Sequence, residues 1–216
     1  MRVHRILWLL AMSGMLLMLV GCSQEIGVNT DIVVKRGQIR SGGITTVNGN
    51  ITLEDSCRVE GECHSVNGSI TIGQAAQVEG LVSMNGGVEI GADSRVLGDV
   101  VTVNGDVYLA PGARVTESIT TVNGNISIEQ AVVEENIETV SGNIELLDHA
   151  VVEGDIVVKG DKEGNGSPGR VEIRIGGNSV VKGDIAVEGE RRGVRVYLSE
   201  GGRVNGDIID AEVIEK

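Results

Sequence analysis

Residues with the chemistry of acids, bases, nucleophiles or metal ligands are spread along this chain, with 31 Asp or Glu but only three His and three Cys. Aspartates recur at Asp99, Asp155, Asp184 and Asp207, histidines stand at His4, His64 and His149, and cysteines at Cys22, Cys57 and Cys63. Two carboxylates held side by side could cleave a glycosidic bond, clustered oxygens could hold calcium, and a thiol could attack a substrate or form a disulfide. A further group is basic. From Lys159 to Arg195 there are eight Lys or Arg against six Asp or Glu, in a chain whose net charge is −13. Within that stretch Lys162, Arg170, Arg191 and Arg192 have no obvious acidic partner, so they form a candidate basic edge for an anionic lipid headgroup, a glycan or an acidic flank of another copy.

What these residues can do depends on the elements that position them, and those are set by a repeat. Val followed four residues later by Ile, Val or Cys occurs from Val59, Val78, Val96, Val115, Val133, Val152, Val181 and Val204. The first five steps are 18 or 19 residues and the last two lengthen to 29 and 23. A second motif interleaves with it: VNGNITL from Val47, VNGSITI from Val66, MNGGVEI from Met84, VNGDVYL from Val103, VNGNISI from Val122 and VSGNIEL from Val140. Apolar and polar residues alternate within it, which is the strand period, and the Asn-Gly pairs suit a left-handed corner. The pattern predicts an all-β chain, a single-stranded parallel β-helix (solenoid) over residues 32–209, with about eight to nine turns of 18–19 residues and three short strands per turn. Inward positions are aliphatic or small, and a thin core of that kind needs no aromatics; Phe is absent, and past Trp8 only Tyr108 and Tyr197 remain. Asn48, Asn67, Asn85, Asn104 and Asn123 fall at one corner of five successive turns and are expected to stack as an amide ladder.

Placed on this coil, the reactive residues separate. His64 and His149 lie about four turns, roughly 20 Å, apart, too far to share one atom. The aspartates share a corner, where adjacent turns would set carboxylates about 5 Å apart, but the same position holds Leu81, Ser118 and Asn136, and sugar-stacking aromatics are lacking. They read as turn residues, and neither a catalytic residue, nor a metal site, nor a cofactor is expected. Cys63 aligns with Val82, Val100, Ile119 and Ile156, and Cys57 with Ala76, Ala113 and Ala150, so both read as buried free thiols, with a disulfide across the core as the alternative. Insertions at 160–170 and 189–193 leave equivalent corners of neighbouring turns and should emerge side by side. The strands after them align Glu172 with Arg195 and Arg174 with Tyr197, predicting one ion pair and one cation–π contact.

The ends carry their own signals. MRVHR is basic, the apolar run ILWLLAMSGMLLMLV follows, and Leu19-Val20-Gly21-Cys22 resembles a bacterial lipobox. Residues 1–21 read as a lipoprotein signal peptide, Cys22 as the acylated residue, 22–31 as a short tether, and 210–216 as a partial carboxyl-terminal cap. Ser23 after the cysteine is similar to outer-membrane sorting in Gram-negative lipoproteins. Loss of Arg2 and Arg5 with the signal takes the net charge to −15, which excludes nucleic acid as a partner of the surface as a whole. The expected localisation is therefore exported and lipid-anchored.

The V-x-G-x-I and V-N-G-x-I turns resemble the bactofilins, bacterial polymer-forming proteins, over about residues 32–209. The resemblance implies a right-handed coil, a handedness the residues themselves leave open, and a non-enzymatic scaffold role with self-association. Segments such as VSGNIEL are also similar to exported putative-adhesin β-helices, which implies the alternative of a binding module. The run IGQAAQV from Ile72 resembles the hexapeptide repeat of left-handed β-helix acyltransferases, but the paired histidine and donor chemistry of those enzymes has no counterpart here. Typical bactofilins are cytoplasmic, whereas this chain reads as exported, so a cytoskeletal role does not carry over.

Overall fold

Aliphatic residues at a fixed period can all face one axis only if the chain winds, and the computed structural model, which describes residues 24–160, 170–189 and 193–215, is a parallel β-solenoid of about nine turns. Each turn has three faces. Strands of the first lead into the Asn-Gly corner, as in Ile44–Asn48, Val100–Asn104 and Ile137–Ser141; the second follows that corner, as in Ile51–Leu53, Val107–Leu109 and Ile144–Leu147; the third is short, as in Arg95–Val96 and Arg114–Val115. Every pairing is parallel, strand on equivalent strand. Ten strands stack on the second face, from Ile32–Val34 to Glu212–Glu215, a rod of about 43 Å at the usual strand spacing. The strands run two to five residues, shorter than the sequence suggests, because a corner splits most V-x-G-x-I stretches; only Arg58–Asn67 and Gln77–Asn85 pass through it unbroken.

One continuous core runs up the axis from Ile32 and Val34 to Val194 and Val196, built of Ile, Val, Leu and Ala. It is not wholly apolar. Thr46, Ser65, Ser83, Thr102, Thr121 and Thr139 occupy one inward position in six successive turns, all buried. Their hydroxyls are satisfied locally: Ser65 donates to the Gly49 carbonyl at 3.2 Å, Ser83 to that of Gly68 at 3.2 Å, and Thr102 Oγ1 lies 2.9 Å from Thr121 Oγ1. Above them the column turns apolar at Val158 and Val187.

The left-handed corner is not where the Asn-Gly motif suggests. Positive φ recurs between the second and third faces, at Ser56, Ala75, Asp93, Gly112 and Gln130, whereas in the Asn-Gly column only Asn29 and Gly142 show it. The glycines at that corner serve close approach instead. A Cβ on Gly68, Gly86, Gly105 or Gly124 would lie 2.0–2.3 Å from the carbonyl oxygen of the glycine one turn below.

The ends differ from expectation in detail. Glu25–Gly27 already pairs with Ile44–Thr46, so the coil begins inside the segment read as a tether. In the first third-face strand, Arg40 takes the inward position above which Val59 sits, and it pairs with the carboxylate of Glu25. An inward charge of this kind plugs the core and blunts the open edge. At the other end, Glu212–Glu215 of the tail adds a further strand beside Arg195–Leu198, leaving Ile209 and Val213 exposed.

Candidate functional site

The corner aspartates are drawn into the rod's own bonding. Asp99 Oδ1 accepts the Ser118 N–H at 3.0 Å, Asp155 Oδ1 that of Asp184 at 2.8 Å, and Asp184 Oδ1 that of Asp207 at 2.8 Å. Ser118 Oγ and Asn136 Oδ1 accept from Asn136 and Asp155 in the same column. The position therefore selects an oxygen that reaches the next rung, which Asp, Ser and Asn all supply. Leu81 does not belong to it. That turn is one residue shorter at its corner, so Leu81 faces inward as the partner of Cys63 and Val100, and Val82, which the sequence aligned with Cys63, faces outward beside His64.

The amide ladder forms as the sequence predicts and extends one rung lower. Asn48, Asn67, Asn85, Asn104 and Asn123 each donate Nδ2–H to the Oδ1 below at 2.7–3.1 Å, with Asn29 at the base. Each amide thereby orders its neighbours along the axis. A parallel row at the far side of the corner ties Asp31, Asn50 and Ser69, and above them Asp106, Asn125 and Asn143, through side-chain oxygens that accept backbone N–H groups.

The histidines lie four rungs apart. His64 sits on the first face with Nε2 2.8 Å from Glu62 Oε2, and that contact lowers the Glu62 carboxyl below its ordinary value; His149 is at a left-handed corner. Among the described residues no three His, Cys, Asp or Glu side chains come together to hold a metal ion.

Both core cysteines are free and buried. Cys57 donates its thiol hydrogen to the Lys35 carbonyl at 2.8 Å. Burial pushes the Cys63 thiol up to about 12. In the unfolded chain the thiol ionises near 8.5, while in the fold it stays protonated, so the folded state holds an extra proton above that pH. Stability contributed by the neutral thiol is full below about pH 8.5 and falls by up to roughly 1.4 kcal/mol per unit as pH rises toward 12. The Cys63→Val variant should lack this alkaline loss, and urea titrations of both proteins between pH 7 and 10.5 will check it.

Of the candidate basic edge, Lys162, Arg191 and Arg192 lie outside the described residues, as does Cys22; Arg170 is described and exposed. The roots of both insertions are nevertheless in view. Val158 pairs with Val187 and Lys159 with Glu188, Gly160 N–H donates to the Glu188 carbonyl at 2.5 Å, and the chain re-enters at Val171 beside Val194. Both insertions thus depart from and return to the same corner of adjacent rungs, without changing the register. Lys159 is nearly buried and ion-paired to Glu138 at 2.6 Å, fixing the root of the longer one.

Beyond the roots, the predicted pairing is half right. Glu172 stands opposite Arg195 and Arg174 opposite Tyr197, and the Arg174 guanidinium lies 5.9 Å from the Tyr197 ring centre. The ion pair is different, because each charge has a nearer partner: Arg195 reaches up to Glu212 at 2.6 Å, and Glu172 takes Arg174 of its own strand at 2.6 Å. The Arg195 pair is exposed to solvent, which screens it, so it contributes little to stability.

Sequence reasoning missed a second ladder, on the outside. In strands such as Ile44–Asn48 the alternation sends Ile44 and Thr46 inward, so Val47 points outward. The same holds for Val66, Met84, Val103, Val122 and Val140, all half-buried, beside an outward column that includes Val82 and Val101. Hydropathy alone turns these valines inward; the corner after each Asn resets the phase.

Comparison of the chain with family models, with curated proteins and with solved structures finds no match to any of them.

Proposed function

We propose that the chain is a non-enzymatic structural lipoprotein of the bacterial envelope, a bactofilin-like acidic rod held to the outer membrane by an acylated Cys22 and able to associate with further copies. The observation that carries this reading is the commitment of its polar columns. The corner aspartates and ladder asparagines spend their oxygens and amides on the rungs above and below, which is what a rigid spacer needs. The first strand begins at Glu25, so an anchor at Cys22 would bring the rod close to the lipid surface. The test is electron microscopy with light scattering on the acyl-free chain from Ser23 onward, which keeps every strand. Concentration-dependent assemblies are expected; uniform monomers at every concentration would overturn the scaffold reading.

One observation favours a second reading, a binding module. Two insertions leave and re-enter at one corner of adjacent rungs, where Arg170 is exposed, and their sequences carry the further cations Lys162, Arg191 and Arg192. If that edge takes an anionic glycan or lipid, replacing Arg191 and Arg192 with Glu should abolish retention on anionic vesicles or envelope polysaccharide, and unchanged retention removes it.

A further inference from the structure

The lowest rung differs in kind from the rungs above it. Ile26 on the first face, Val33 on the second and Ile39 on the third all point away from the core, because they pair with the outward Thr45, Thr52 and Arg58. Val28 stands at the corner between the first two faces. Of the seven large apolar side chains that are exposed among the described residues, these are four, each 40–71% open. Higher in the same three columns stand His64, Thr71 and Gln77, then Val82, Glu89 and Arg95. An aliphatic side chain on every face is thus a property of this end.

Charge divides the two ends as well. Residues 24–41 hold Lys35, Arg36 and Arg40 against Glu25 and Asp31, a net of +1 in a chain of −13. Residues 203–215 hold Arg203 against Asp207, Asp210, Glu212 and Glu215, a net of −3. Lys35 and Arg36 pair with Glu54 and Asp55 of the second rung, so these cations lie just above the apolar ring.

We infer that this ring is a foot that sinks into a lipid surface and stands the rod upright on it. A ring of side chains round the tip of a rod is buried all at once only by a medium that closes round the tip, as a lipid surface does. A protein partner docked on one face would leave the other two in water, and a second rod stacked on the tip would meet the strand edge instead. The chain outside the described residues agrees, since the apolar run ILWLLAMSGMLLMLV ends at Val20, four residues before Gln24. One rung is about 4.8 Å deep, so the tip reaches the boundary between headgroups and acyl chains, roughly 5 to 10 Å in, where water still reaches the open strand edge. Posture follows from the distribution: one apolar face would lay the rod flat, whereas three at one end hold it on its tip. This inference rests on the lipid-anchored reading and adds to it the residues that meet the lipid.

The experiment uses the full chain in vesicles of phosphatidylethanolamine and phosphatidylglycerol, with the single tryptophan, Trp8, replaced by Phe. Ile26→Trp, Val33→Trp and Ile39→Trp, made singly, should each lose about half or more of their fluorescence when the lipid carries brominated acyl chains. Tyr197→Trp, eight rungs or about 38 Å higher, should lose almost none. An Ile26→Thr, Val33→Thr, Ile39→Thr triple variant, with the residue that the next rung already carries at two of these positions, guards against a folding defect. It should keep its circular dichroism and lower the quenching of a Val28→Trp reporter at least twofold. Quenching at one face alone would mean that the rod lies down, and would overturn the inference, as would unchanged quenching in the triple variant. Chains that float with the vesicles but show no quenching would overturn the foot and leave the anchor in place; chains that do not float would overturn both.

Discussion

Gly105→Ala is expected to lower stability by about 3 kcal/mol, moving the urea midpoint down by roughly 1 to 2 M, although it adds a single methyl group at the surface of a corner. The added Cβ would stand 2.1 Å from the Gly86 carbonyl oxygen and 2.4 Å from its carbon, atoms of the backbone one rung below. Backbone cannot rotate aside as a side chain can. Gly86 is itself stacked on Gly68, and Gly124 on Gly105, at the same separation, so relief at one rung transmits to the next. Gly80→Ala is the control: it is buried, but its Cβ would meet only the flexible Glu62 side chain at 3.3 Å and the Asp99 carbonyl at 3.4 Å, so its cost should be about 1 kcal/mol. Equal midpoints for the two variants would show that the corner is looser than this stacking implies.

Leu109→Ala should cost about 2 to 5 kcal/mol, and where it acts matters as much as how much. Leu109 is fully buried on the second face near the middle of the rod, between Ile90 below and Ile128 above. A solenoid holds together through nearest-neighbour contacts, so a weak central rung divides it into two shorter stacks that must each survive alone. Val34→Ala removes methyl groups from the first rung instead. Hydrogen exchange should show the central variant losing protection on both sides of residue 109, and the end variant losing it only below about residue 55. A strictly local loss at Leu109 would mean that the rungs are less cooperative than their shared core suggests.

The coil, its turn count and the amide ladder were legible because each depends on spacing, and spacing is visible in a repeat. Asn48 through Asn123 recur at one phase of the period, so their stacking follows from the fold class alone. What escaped depends on phase within a turn. Thr46 and Val47 illustrate it: hydropathy buries the valine and exposes the threonine, whereas the strand that starts at Ile44 does the reverse. The threonine is tolerated inside because its hydroxyl finds the Thr30 carbonyl at 3.2 Å. The glycine of the same motif was misread for a related reason: its small size and its freedom of φ are equally good explanations from sequence, and only the rung below decides between them. The misplacement of Leu81 came from counting across a corner that is one residue short.

The pairing pattern of the rod also governs how it would respond to force. Its inter-strand hydrogen bonds run along the long axis, and the first and last strands, Glu25–Gly27 and Glu212–Glu215, sit at opposite ends. Tension between the two termini therefore loads these bonds one rung at a time, in the manner of opening a zipper, instead of shearing many together. Each released turn of 18 or 19 residues would lengthen the chain by about 60 Å. Stiff while unloaded, such a rod would pay out in small, even steps once pulled from its ends.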